Sequence, residues 1–109
     1  MTTNPPAISA AIAAKMAQMW TKFLPEMEQR ISLIDEAAQA LASGNLSEEQ
    51  REAAHAAAHK LAGSLGLFGI TRGTELARAM EHLLESLPVE GAPLADGVQE
   101  LRAMITAHS

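Results

Sequence analysis

Apolar residues recur along this chain at three- and four-residue intervals, and proline, glycine or cap-forming residues punctuate the recurrence. Ile8, Ile12, Met16, Met19, Trp20 and Phe23 form the first series, the spacing of one face of an α-helix. It follows a leader containing Pro5 and Pro6 and predicts a helix of about four turns. Pro25 then stands where a new helix begins or a long one kinks, because proline is tolerated in a first turn but removes an interior hydrogen bond. Met27, Ile31, Ile34, Ala38 and Leu41 give a second stripe, stopped by Gly44 and Asn45. Ser47 with Gln50 fits a capping box, and Glu48 and Glu49 put negative charge where the helix dipole favours it. A third helix is therefore expected from near Ser47 to about Leu67, ended by Gly69. The fourth begins at Thr71 or Arg72 and carries Leu76, Ala77, Met80, Leu83, Leu84 and Leu87. A loop from Pro88 to Pro93 leads to a fifth with Leu94, Val98, Leu101, Met104 and Ile105 on one side.

Helices joined by short loops pack as antiparallel neighbours. The expected fold is all-α, an antiparallel four-helix bundle with an additional N-terminal helix across or alongside it. A length of 109 residues suits one domain spanning 1–109, with residues 1–6 as a flexible leader. The alanine and methionine content, with two phenylalanines, one tryptophan and no tyrosine, fits close-packed helices better than a sheet.

Composition removes several classes of function. There is no cysteine, which excludes disulfides, thiolate metal sites and thiol nucleophiles. A net charge of −5 without any basic stripe argues against a nucleic-acid partner. The N-terminus lacks a basic n-region, and Lys15 interrupts the alanine-rich run that follows, so neither a signal peptide nor a membrane span is expected. Cytoplasmic residence is the default.

The chemistry concentrates around His59. On a helix, residues three, four and seven positions away share its face, and these are His55, Ala56, Ala62, Gly63 and Gly66. All but His55 are alanine or glycine. An interior glycine costs about 1 kcal/mol relative to alanine, and close approach of another backbone is the usual reason for keeping one. The other side of the helix reads Ala54, Ala57, Ala58, Leu61, Leu65 and Phe68 and is expected to face the core. A neutral imidazole, with an unperturbed pKa near about 6.5, is available as a nucleophile near neutral pH.

His59, Leu61, Gly63, Ser64 and Gly69, at their spacing, resemble the motif of the histidine-containing phosphotransfer (HPt) family. The resemblance extends to the helical bundle read from nearly the whole chain. It departs at Ala62, where the family usually has lysine; Lys60 is the nearest remaining cation. The resemblance implies a phosphorelay intermediate. His59 takes a phosphoryl group from the phosphoaspartate of one response-regulator receiver domain and passes it to another, with a hybrid histidine kinase as a further candidate partner. Lys60, His55 and Ser64 would stabilise the phosphate or rim the site, and Ala56, Ala62, Gly63 and Gly66 would dock the partner. Arg72 and Arg78 fall on the next helix, on faces the sequence leaves open. No cofactor is expected in this chain, and the magnesium of the reaction would belong to the receiver. No loop of the form GxxxxGK[ST] occurs, so self-phosphorylation from ATP is not expected.

Two other classes compete. A bundle whose small-residue face merely docks a partner would carry no phosphate on His59. A metal-binding bundle would use His55 and His59, one turn apart, but a catalytic zinc site generally needs a third ligand. His82 and His108 are the remaining histidines. No metal is expected in this chain.

Overall fold

The computed structural model describes the backbone of residues 6–109 and the side chains from residue 10 onward. Four helices follow one another: α1 (Pro6–Ala42), α2 (Glu48–Leu67), α3 (Thr71–Glu85) and α4 (Gly91–His108). The expected leader, residues 1–6, lies outside the described residues except for Pro6, which opens α1.

Besides α3 ending at Glu85, before Leu87, and α4 opening at Gly91, inside the loop expected over 88–93, the separate N-terminal helix differs. It is the first half of α1, which runs through Pro25 without a break. An interior proline costs about 3 kcal/mol or more by losing a hydrogen bond and crowding the preceding turn. Here tertiary packing offsets that cost. Trp20, Met27, Ile31, Ile34 and Ala38 are all buried, and their spacings of seven, four, three and four residues keep one unbroken stripe against the bundle. Pro25 and Thr21 lie on the exposed side, so the carbonyl freed by the proline faces water. Residues 10–15 are exposed throughout, so this part of α1 stands clear of the core.

Local chemistry sets the other boundaries. Ser47 caps α2, accepting from the Gln50 backbone N–H at 3.0 Å while the Gln50 side chain accepts from the Ser47 backbone N–H at 3.2 Å. Gly44 and Gly69 take φ of +74° and +71°, the left-handed conformation that lets the chain turn out of α1 and α2. Pro93 falls inside the first turn of α4, where its missing N–H costs nothing.

Each helix packs on its chain neighbours, and α4 closes the ring on α1. Met27, Ile31, Ile34, Leu61, Leu65, Met80, Leu84, Leu94, Val98 and Leu101 fill the centre with almost no exposure. The end of the bundle near Trp20 is closed by aromatic contacts: Phe68 meets Trp20 edge-on at 5.1 Å between centroids, and His108 lies against the same indole at 4.2 Å. No helix among the described residues is long and apolar enough to cross a membrane.

Candidate functional site

Helix α2 packs against both α1 and α3, and this gives it a wide buried arc: Ala54, Ala57, Ala58, Leu61, Ala62 and Leu65. Ala62 therefore leaves the docking face assigned to it from the sequence. It is 3% exposed, and its carbonyl accepts from the Thr74 hydroxyl of α3 at 3.4 Å. Helical spacing alone puts position 62 beside position 59, but α3 covers that flank. Ala56, Gly63 and Gly66 remain exposed. A Cβ built at Gly63 meets nothing within 4 Å, whereas one at Gly66 would reach Thr74 Oγ1 at 3.6 Å. Leu67, 58% exposed, adds an apolar side chain at the C-terminal end of α2.

His59 stands out from this surface with its side chain 73% exposed. Its Nδ1 lies 2.8 Å from Oε2 of Glu81 on α3, whose own side chain is only 19% exposed. An ionised carboxylate can only accept, so in the neutral ring Nδ1 carries the proton and Nε2 keeps the lone pair. Among the described residues Nε2 makes no hydrogen bond. The neutral ring is thus held in one tautomer, on a side chain open to solvent. This is the arrangement by which a carboxylate steadies the imidazolium that forms when the other nitrogen bonds to an electrophile.

One turn earlier His55 repeats the pairing. Its Nε2 lies 2.9 Å from Glu85 Oε1 and 3.9 Å from Glu81 Oε2. Hydrogen bonding to His55 holds the Glu85 carboxyl below the usual carboxylate range, and the nearby His82, 3.4 Å away, acts in the same direction. His55 therefore borders the phospho-acceptor candidate as part of a His–Glu ladder between α2 and α3. Arg51 ties the start of this ladder by donating to the Leu84 carbonyl at 2.6 Å.

The other candidates separate. Ser64 faces α1, where its hydroxyl accepts from Arg30 at 3.1 Å; that bond joins two helices and leaves Ser64 off the His59 edge. Lys60 is exposed and, among the described residues, unpaired. Arg72 turns to α4 and pairs with Glu100 at 3.0 Å. As to metal, the sequence pair His55 and His59 is not the set the fold assembles. His55, Glu81 and Glu85 offer ligand atoms within 4.8 Å of one another, while His108 packs on Trp20.

Sequence reasoning missed Glu81 and Glu85. Their four-residue spacing matches that of His55 and His59, a signal that becomes readable only when α2 and α3 are treated as an antiparallel pair.

The Hpt domain family model matches residues 18–109, and the chain belongs to that family. Its members are histidine-containing phosphotransfer modules of phosphorelays, intermediates and not kinases. Protein RcaC of Microchaete diplosiphon is 31% identical over 97 residues, covering 86% of this chain. The chain spans 14% of the length of that relative. No solved structure gives a significant match.

Proposed function

We propose that His59 is the phospho-accepting residue of this Hpt domain. It takes the group from the phosphoaspartate of a response-regulator receiver domain, holds it as phosphohistidine and passes it to an aspartate of another receiver. The observation that carries this reading is the 2.8 Å bond from Nδ1 to Glu81 on a ring otherwise open to solvent.

In the accepting step the Nε2 lone pair forms the N–P bond, and the P–O bond to the donor aspartate breaks, returning its electron pair to the carboxylate. The Nδ1 proton stays in place. The positive charge that develops on the ring is met by Glu81, so the imidazole is a better nucleophile when it attacks. On forward transfer the N–P electrons return to Nε2 as the acceptor carboxylate bonds to phosphorus. Positioning and electrostatics dominate such displacements. The receiver supplies the magnesium and this chain supplies the nitrogen and a surface.

That surface is Ala56, Gly63 and Gly66, extended by Leu67, with His55 and Lys60 at its rim. A hybrid histidine kinase with its own receiver is a further partner of the same chemistry. On this reading the phosphate reaches His59 from a receiver domain, in the cytoplasm, and not directly from ATP.

The test is labelling by a panel of phosphorylated receiver domains. The parent protein acquires an acid-labile, base-stable phosphate; His59→Gln acquires none and keeps its thermal stability, because exposed helical positions tolerate substitution within about 0.5 kcal/mol. Full labelling of His59→Gln would refute the assignment.

A further inference from the structure

A phosphoryl group on His59 meets an acidic neighbourhood. Glu81 bonds the ring and Glu85 lies one turn along α3, so the groups already at the site steady the imidazole but repel the phosphate, which carries roughly −1.5 to −2 charge. Retaining that group calls for a cation near Nε2.

Most of the arginines are engaged elsewhere. Arg30 pairs with Glu26, Arg51 with Glu48, Arg72 with Glu100 and Arg102 with Asp35. Arg78 is the remaining arginine, and among the described residues it makes no ion pair. It is also exposed.

Its place follows from the register of α2 against α3. His55 meets Glu85, His59 meets Glu81, and a Cβ at Gly66 would meet Thr74. Each step up α2 is matched by an equal step down α3, so position 78 falls opposite Ala62, between the levels of His59 and Gly66. Thr74, Arg78, Glu81 and Glu85 succeed one another by four, three and four residues, the spacing of a single helical stripe. Three of these four reach α2, and position 78 shares their stripe and is exposed. From position 78 to Glu81 is three residues, about 4.5 Å along the axis, a distance that an arginine side chain spans.

We infer that Arg78 is the phosphoryl-binding cation of this site, its guanidinium donating to the phosphate oxygens of phosphorylated His59. Arginine is permanently charged and matches phosphate with two parallel N–H donors. It enters from α3 because position 62, directly across the groove, is a buried alanine. Lys60 is less well placed. It projects about 100° around α2 from His59, toward the flank where Ser64 bonds Arg30 of α1.

The inference rests on His59 being the acceptor, and the experiment separates the two. The full chain and its His59→Gln, Arg78→Ala, Arg78→Lys and Lys60→Ala variants are labelled with phosphoramidate and with a phosphorylated receiver, and the phosphohistidine is followed by ³¹P NMR. Arg78→Ala should lower the labelling rate or shorten the phosphohistidine lifetime about three- to tenfold, the effect of one partly solvated charge-assisted contact. It should also move the ³¹P resonance. Arg78→Lys should restore most of both, and Lys60→Ala should lose less of either than Arg78→Ala does. Arg78→Ala equal to the parent in rate, lifetime and resonance overturns the inference, as does a loss confined to Lys60→Ala. A parent that takes no label, or a His59→Gln variant that does, removes the acceptor reading itself and Arg78 with it.

Discussion

Substituting Gly63 by leucine separates stability from docking in one variant. A Cβ at position 63 meets no heavy atom within 4 Å, so the new side chain projects into solvent without displacing the fold. Only the helix-propensity difference then acts on stability. Glycine is about 0.8–1.0 kcal/mol worse than alanine inside a helix, and leucine ranks next to alanine, which leaves a gain of about 0.7 kcal/mol. For a domain of this size 1 kcal/mol moves Tm by about 4–8 °C, so Gly63→Leu should melt about 3–5 °C higher than the parent. Denaturant titration should return the same gain with an unchanged slope. Function should move the other way. Position 63 is one turn from His59 on the exposed side of α2, and on the proposed function a leucine there occupies the space a receiver needs to bring its aspartate to Nε2. Transfer from a phosphorylated receiver should fall sharply, while phosphoramidate, which needs no docking surface, should still label His59. Destabilisation by more than about 0.5 kcal/mol would show that the position is packed and the premise wrong. Undiminished transfer from the receiver would place the docking surface elsewhere.

Gly97 is the contrasting glycine, because its Cβ would lie 2.7 Å from Sδ and 3.0 Å from Cγ of the buried Met80. Gly97→Ala should lose about 1 kcal/mol, an overpacking cost of about 1–3 kcal/mol outweighing the propensity gain; a denaturant midpoint above that of the parent would contradict the close approach of α3 and α4. The Glu85 carboxyl is held low chiefly by His55. A depressed folded pKa contributes stability above the unfolded value and loses it as pH falls through the folded value, so this contribution fades only below the usual carboxylate range. In a carboxyl-detected NMR titration His55→Ala should raise the Glu85 midpoint toward the ordinary range, and an unmoved midpoint would assign the shift to another group.

The features legible in the residues alone lie mostly within single helices. The capping box at Ser47, the turn glycines Gly44 and Gly69 and the stripe from Leu94 to Ile105 are local signals, carried by backbone chemistry and a 3.6-residue period, and the structure realises each of them. His59 was legible for the same reason: its exposure follows from its phase on an amphipathic helix. Pro25 misled because a local penalty was weighed without the packing against it, although the unbroken phase from Trp20 to Met27 was present in the sequence. Ala62 misled because a helical wheel knows spacing but not how many neighbours a helix has, and α2 has two. The alignment of α2 with α3 was only hinted at, by the equal spacings of His55 and His59 and of Glu81 and Glu85. Hydrophobic burial pulls helices together but says little about their axial register, which side-chain interlocking in the assembled core decides. Only that register brings Glu81 to His59 and Glu85 to His55, so the neutral-ring tautomer that leaves the Nε2 lone pair unengaged is a property of the tertiary structure.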